Sequence, residues 1–356
     1  MNQYICRMEE NTPVRTELSD LGEFGLIEHL TRELPQQQDS TIVSVGDDAA
    51  VMDLGADHYT LLSTDMFVEG VHFDLSYVPL QHLGYKCVVA NISDMCAMNG
   101  VAEQIVISLA ISNRFSVEAL DELYKGINLA CERYRVDLVG GDTTSSSSGL
   151  MISVAVHGRV PKNGLSRRNG AKEKDLLVAT GDLGAAYMGL QILEREKTVF
   201  MDAPSVQPDL SGHDYILERQ LKPEARVDIV HELMKAGVVP TSMIDVSDGL
   251  SSEIFHLGTQ SQLGCFVYES KIPIDKRTYD TAREFDLDPT LTALSGGEDY
   301  ELLMTMSVAD YEKIKGVSDF VAIGYMTDWN SGFQMETKDG HVVPLKAQGW
   351  KHKFGE

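Results

Sequence analysis

Ile42-Val43-Ser44-Val45-Gly46-Asp47-Asp48-Ala49-Ala50-Val51-Met52 is the stretch from which the rest of the chain can be read. Two apolar runs flank a glycine and two aspartates, which predicts two short strands meeting at an acidic turn, with Gly46 easing the backbone. Adjacent carboxylates repel by on the order of 4 kcal/mol at about 4 Å and an effective dielectric of ~20. A single Gly-Asp-Asp turn reads equally well as a solvated loop. Here acidic turns recur. Tyr59-Thr60-Leu61-Leu62 predicts a strand that runs into Ser63-Thr64-Asp65 at its end, with His72 just beyond. Asp137-Leu138-Val139 predicts a strand ending in Gly140-Gly141-Asp142-Thr143-Thr144, and Met243-Ile244 one ending in Asp245-Val246-Ser247-Asp248-Gly249.

Between these turns the periodicity alternates. A short amphipathic helix is expected at Glu23 to Leu30. Pro79 starts a longer one reaching to about Met98, with Ala90, Ser93 and Ala97 as a face of small residues and Asn91 and Asp94 on a neighbouring face. Asn99-Gly100 ends it. Gln104 to Ala110 reads as a buried strand, Leu120 to Tyr134 as a helix and Leu150 to Val160 as a strand. The stretch from Pro161 to Asp175, with Arg167-Arg168, reads as a connection. Beyond it, strands and helices alternate again, with a loop expected from about Thr198 to Asp214. Two α/β or α+β domains are predicted, at residues 21–160 and 161–356.

The 356 residues carry a formal charge of −24, which argues against nucleic acid or an anionic membrane as a partner. Anionic small molecules remain compatible, because divalent cations bridge carboxylates to phosphates. The five cysteines, Cys6, Cys87, Cys96, Cys131 and Cys265, form no Cys-x-x-Cys and suggest neither zinc nor a disulfide framework. Met1 to Asp20 does not read as a signal peptide, and no apolar run approaches the ~20 residues of a membrane span. A cytoplasmic protein is expected.

Asp47, Asp48, Asp65, Asp94, Asp142, Asp245 and Asp248 all fall at turns or element ends, where ligand sites gather. Sparse carboxylates together with the hydroxyls of Ser63, Thr64 and Ser247 suit Mg²⁺, which keeps waters and bridges to phosphates. Gly140-Gly141, the helix start at Gly181 to Gly184, and Arg168 are candidate phosphate donors. No P-loop and no protein-kinase motif set occurs. Metal-assisted phosphoryl transfer fits this array best, and it needs no strong base. Read singly, His72, Tyr124, Arg168, Glu298 and Trp350 are ordinary structural or surface residues.

Taken in order, the motifs resemble the thiamine-monophosphate kinase family, within the superfamily of aminoimidazole-ribonucleotide synthetase and selenophosphate synthetase. The match runs from about Gly22 to Trp350, through Gly22-Glu23-Phe24, Gly46-Asp47-Asp48, Ser63-Thr64-Asp65, Gly70-Val71-His72-Phe73, Asn91-Ile92-Ser93-Asp94, Gly140-Gly141-Asp142-Thr143, Asp245-Val246-Ser247-Asp248-Gly249 and Ser295-Gly296-Gly297-Glu298-Asp299-Tyr300-Glu301. The resemblance implies the two-domain aminoimidazole-ribonucleotide-synthetase-like fold. It implies direct transfer of phosphate from ATP to thiamine monophosphate. It places several Mg²⁺ ions on Asp48, Ser63, Thr64, Asp65, Asp94, Asp142, Asp245 and Asp248. It places ATP against Tyr124, Gly141, Asp142, Arg168 and Ser247, and thiamine monophosphate against His72, Glu298 and Trp350. It also implies a homodimer formed through the N-terminal domain. The alternatives are another ATP-using synthetase of the superfamily, or a non-enzymatic acidic metal-binding protein. Cys6 lies in no reactive-cysteine motif, which counts against a selenophosphate synthetase.

Overall fold

The computed structural model describes residues 18–317 and 319–346. Helix α1 (Leu18–Thr31) belongs to a first compact unit, and the described residues from Gln38 onward form a second. In α1, Gly22 leaves the helical region (φ 65°), so regular helix begins beyond it, near the expected start at Glu23.

The first half of the large unit runs β1 (Thr41–Val43), β2 (Ala50–Met52), β3 (His58–Val68), α2 (Leu80–Ala97), β4 (Val101–Ile111), α3 (Val117–Tyr134), β5 (Asp137–Ser145) and β6 (Leu150–Pro161). Its strands form one six-stranded sheet in the order β1-β2-β3-β6-β4-β5, antiparallel except for the parallel β4–β5 edge. The second half runs β7 (Leu176–Thr180), α4 (Ala185–Asp202), α5 (Asp214–Leu221), α6 (Val227–Ala236), β8 (Ser242–Asp245), α7 (Leu250–Ser261) and β9 (Leu263–Tyr268). It continues through α8 (Lys276–Glu284), α9 (Pro289–Ser295), β10 (Leu302–Met306), α10 (Val308–Ile314), β11 (Phe320–Asp328), β12 (Phe333–Glu336) and β13 (Val342–Pro344). These strands make a seven-stranded sheet, β13-β12-β9-β11-β7-β10-β8. The architecture is a two-sheet α+β fold.

Helix α2 is the hub. It packs on β3, β4 and β6 of the first sheet, on α3, and on β8, α5 and α6 of the second half. Fourteen of its residues are buried, so its small residues are needed for close approach on several sides. Pro79 precedes it in extended conformation, and Asn99 closes it with φ 57°.

Two strands that carry the acidic motifs are longer than the sequence suggests. β3 does not end before Ser63 but continues to Val68, because its ladder with β6 runs unbroken from His58 opposite Pro161 to Val68 opposite Met151. β5 likewise carries Gly140-Gly141-Asp142-Thr143-Thr144 as strand, paired to β4. Helices α5, α9 and α10 and strands β12 and β13 are short, with too few periods to stand out from the sequence. The expected loop at 198–214 shrinks to residues 203–213, since α4 extends to Asp202.

Candidate active site

The acidic turn does lie between β1 and β2. Gly46 has φ 116°, a conformation that strains any residue with a Cβ, and it turns the chain so that Asp47 and Asp48 both point inward. Their side chains are buried, and each is met by a guanidinium from the connecting segment. Arg167 Nε donates to Asp47 Oδ2 at 3.0 Å, and the Arg168 backbone N–H donates to Asp47 Oδ1 at 3.1 Å. Arg168 holds Asp48 in a fork, Nε to Oδ2 at 3.2 Å and Nη2 to Oδ1 at 2.6 Å. Arg168, expected as a phosphate donor, is therefore committed to Asp48 in this structure. Burial pushes the Asp47 carboxyl up, aided by the neighbouring Asp48 charge.

The period of two along β3 then divides Ser63-Thr64-Asp65 between the faces of the sheet. Ser63 and Asp65 lie opposite Val156 and Val154, on the buried face against α2. Ser63 Oγ donates to Asp94 Oδ2 of α2 at 2.6 Å. Thr64 faces the other way, and its hydroxyl donates to the Val154 carbonyl at 2.9 Å, so it brings no free hydroxyl to Asp94. One turn of α2 carries both Ser93 and Asp94. Ser93 Oγ reaches across to Asp245 Oδ2, at the end of β8, at 2.6 Å.

Carboxylate oxygens of Asp48, Asp94 and Asp245 thus lie within 4.8 Å of one another, from three segments far apart in sequence. Asp65 is beside them. Burial raises its pKa to about 6, with the Asp48 charge adding to the effect. Burial raises Asp245 to about 7, helped by Asp48 and opposed by the Ser93 hydrogen bond and Arg168. Asp94 is pushed well above the carboxylate range by burial and then by Asp65, Asp245 and Asp48. The cluster is crowded with negative charge and has one guanidinium to offset it. Hard divalent cations take such oxygen donors.

The loop after β8 adds Ser247, exposed, and Asp248, whose backbone N–H donates to the buried Glu253 carboxylate at 3.0 Å. Burial and the Asp248 charge hold Glu253 protonated well above its usual range. His256, one turn further along α7, is depressed to about 4 by burial and by Arg168. The Ser247 carbonyl accepts the Glu298 N–H at 2.7 Å, which ties the Gly-Gly-Glu-Asp-Tyr-Glu segment to this loop. Gly297 is obligatory there, because a Cβ would meet the Ser247 carbonyl oxygen at 2.2 Å.

Glu298 pairs with Lys86 of α2, Nζ to Oε1 at 2.8 Å, and accepts Gln220 Nε2 at 2.9 Å. Its neighbour Tyr300 is buried, and its hydroxyl is held protonated by burial and by the nearby carboxylates of Glu298, Asp65 and Asp245. Asp299 turns the opposite way and receives the Gly184 N–H at 2.7 Å and the Ala186 N–H at 3.3 Å. The start of α4, expected as a phosphate site, is therefore capped by an internal carboxylate. Glu301 is locked between Arg219 and Arg226 and accepts Thr180 Oγ1 at 2.7 Å.

Besides Thr64, four more expected site residues stand apart from the cluster. Asp142 sits on edge strand β5 opposite Ser108, which is opposite Ser153, which is opposite Met66. Paired residues share a face, so Asp142 and Met66 lie on the solvent face, opposite to Asp65. Three strand spacings, about 14 Å, also separate β5 from β3. Gly141, beside it, is needed because a Cβ would meet the Ile107 carbonyl oxygen at 1.9 Å. Tyr124 packs partly buried against the apolar core on α3. His72 closes the turn after β3, where its Nδ1 accepts the Val68 N–H at 3.0 Å. Trp350 and Cys6 lie outside the described residues. Sequence reasoning assigned Lys86, Ser93, Gln220, Glu253 and His256 no site role. Ser93 was visible as a small residue on α2, but the contact with Asp245 spans 152 positions.

Residues 46–160 match the family model of the N-terminal domain of AIR synthase related proteins, which is the class that this fold and acidic site define. The chain is 32% identical to the thiamine-monophosphate kinase of Aquifex aeolicus over 94% of its own length and 99% of that protein. It is 30% identical to that of Bacillus subtilis, over 93% of its length and 99% of the relative. Among solved structures it is similar to AaThiL complexed with AMPPCP and TMP, with TM-score 0.80 and 30% identity, over 96% of this chain and 100% of that one. The chain belongs to the thiamine-monophosphate kinase family.

Proposed function

We propose that this chain phosphorylates thiamine monophosphate to thiamine diphosphate with ATP, by direct in-line transfer assisted by Mg²⁺. The observation that carries the reading is the convergence of Asp48, Asp94 and Asp245. The similarity of the whole chain to relatives named for this activity, and to a neighbour solved with AMPPCP and TMP, supports the substrates.

The buried, mutually repelling oxygens fit a hard cation, and Asp48, Asp94 and Asp245 would hold it, with Asp65 and Asp248 nearby. When bound, Mg²⁺ neutralises phosphate charge and that of the carboxylates. The chain's own residues do the rest. Arg168 orients Asp48, Ser63 orients Asp94, and Ser93 orients Asp245. Ser247 and Gly141 would contact ATP, with Tyr124 nearby. Arg168 would reach the nucleotide only from its place on Asp48. His72, Glu298 and Trp350 would face the acceptor.

The N-terminal sheet leaves Leu62, Met66, Val106, Val139 and Met151 exposed. We propose that a second copy covers this face, joining two domains of residues 21–160, with Asp142 at that interface and residues 161–356 completing each site. We propose a cytoplasmic location on the cysteine usage; no helix among the described residues is long and apolar enough to cross a membrane.

The test is turnover by the purified chain with ATP, Mg²⁺ and thiamine monophosphate. Thiamine diphosphate and ADP in equal amounts are expected. ATP consumption that ignores thiamine monophosphate, or that requires a formylglycinamidine ribonucleotide, would overturn the reading.

A further inference from the structure

Lys86 is the one cationic side chain that α2 buries, and its exposure is only 6%. Its ammonium donates to the Gln220 carbonyl at 3.1 Å and pairs with Glu298 at 2.8 Å. Glu298 is different. Its side chain is 31% exposed.

Three costly features converge on this one carboxylate. A lysine is taken out of water, where an apolar residue would pack more cheaply. Gln220, itself 5% exposed, spends its amide N–H₂ on Glu298 and is left with a buried Oε1 that has no partner among the described residues. Glu298 also holds φ at 65°, a region that non-glycine residues rarely occupy. Buried cost and backbone strain focused on a partly exposed group point to presentation of that group to a ligand.

We propose that Lys86 is a positioning residue for the phosphoryl acceptor: from α2 it fixes Glu298 in the direction that receives the cationic, thiazolium-bearing part of the acceptor. The proposal rests on the function proposed above. Lys86 and Asp94 stand eight residues apart on one rigid helix, a rise of about 12 Å. Helix α2 then serves as the spacer between the carboxylate that meets the acceptor's ring end and the acidic cluster that handles phosphate. Glu298 without Lys86 would keep its charge and lose its direction. Binding of the acceptor would suffer, while nucleotide and metal binding would not.

The experiment compares K86M, K86R, E298Q and the K86M/E298Q double variant in steady-state kinetics, with thiamine monophosphate and ATP varied separately. K86M is expected to raise the KM for thiamine monophosphate roughly tenfold or more, with the KM for ATP changed by less than about twofold. K86R is expected to recover part of the loss, and the double variant to be no worse than E298Q alone. Equal changes in both KM values, a loss in kcat alone, or multiplying effects of K86M and E298Q would overturn the proposal. Should K86M fail to fold, calorimetric titration of K86R and E298Q with thiamine monophosphate decides, since both are expected to bind it more weakly than the unsubstituted chain and unchanged affinity in K86R would overturn the proposal. An unsubstituted chain that does not phosphorylate thiamine monophosphate overturns the parent function and this proposal together. That result is distinguishable, because the failure then precedes any substitution.

Discussion

Arg168 grips Asp48 with two hydrogen bonds, at 3.2 and 2.6 Å, so one leg of the acidic cluster is anchored to the segment joining the two sheets. The Asp48 side chain has no exposure and that of Arg168 has 17%. Removing the guanidinium leaves a buried carboxylate uncompensated. Arg168→Met is expected to cost about 3–5 kcal/mol in urea denaturation. Arg168→Lys is expected to recover little, because a point charge cannot reproduce the fork. Asp48→Asn in the Arg168→Met background is expected to restore part of the stability; strictly additive losses would show that the two residues act separately.

Asp94 accepts Ser63 and faces Asp48 and Asp245. Asp94→Asn keeps the shape and the hydrogen-bond acceptor but loses the charge. Turnover is expected to fall by about a hundredfold or more, with an unchanged circular dichroism spectrum. Near-normal turnover would remove the cluster from the chemistry.

The raised Asp245 pKa, about 7, has a direct consequence for metal-free protein. Burial and Asp48 penalise the charged form, so the folded state binds its proton more tightly than the unfolded chain does. Its stability contribution is full below the ordinary carboxylate pKa and is lost as pH rises through about 7. In EDTA, Asp245→Asn is expected to be more stable than the unsubstituted chain at pH 8, by up to about 4 kcal/mol, and to lose that advantage by pH 4. Added Mg²⁺ is expected to reverse the order at pH 8. Parallel thermal-melting curves at both pH values would contradict this.

Glu301 is clasped by Arg219 and Arg226 and by Thr180, linking β10 to α5, to the segment before α6, and to β7. Its side chain is 2% exposed. Glu301→Gln is expected to destabilise by roughly 3 kcal/mol or more, whereas the exposed Glu312→Gln is expected to change little. Chemical denaturation compares the two.

Met66 is 59% exposed on the solvent face of the N-terminal sheet. If a second copy covers that face, Met66→Glu is expected to turn a dimer into a monomer in sedimentation equilibrium. A monomeric unsubstituted chain at micromolar concentration would remove the interface.

Much of this was legible locally. Gly46-Asp47-Asp48, the helix from Pro79 to Met98, the strand at 150–160 and the alternation of elements follow from turn chemistry and period, which act over a few residues. The acidic residues could be named because each sits beside a local signal. Which of them meet could not be read in this way. Asp48, Asp94 and Asp245 converge because α2 is sandwiched between two sheets, and Ser63 and Thr64 part company because a strand sends neighbours to opposite faces. Asp142 has the same kind of motif and yet lies on the far side of the sheet, since ladder register, set by long-range pairing, decides the face. Arg168 and the start of α4 looked like phosphate donors, and the fold gave both to buried carboxylates, because a buried charge must find a partner wherever the chain brings one. Composition and spacing thus chose the ligand-bearing residues; the packing of α2 chose which of them act together.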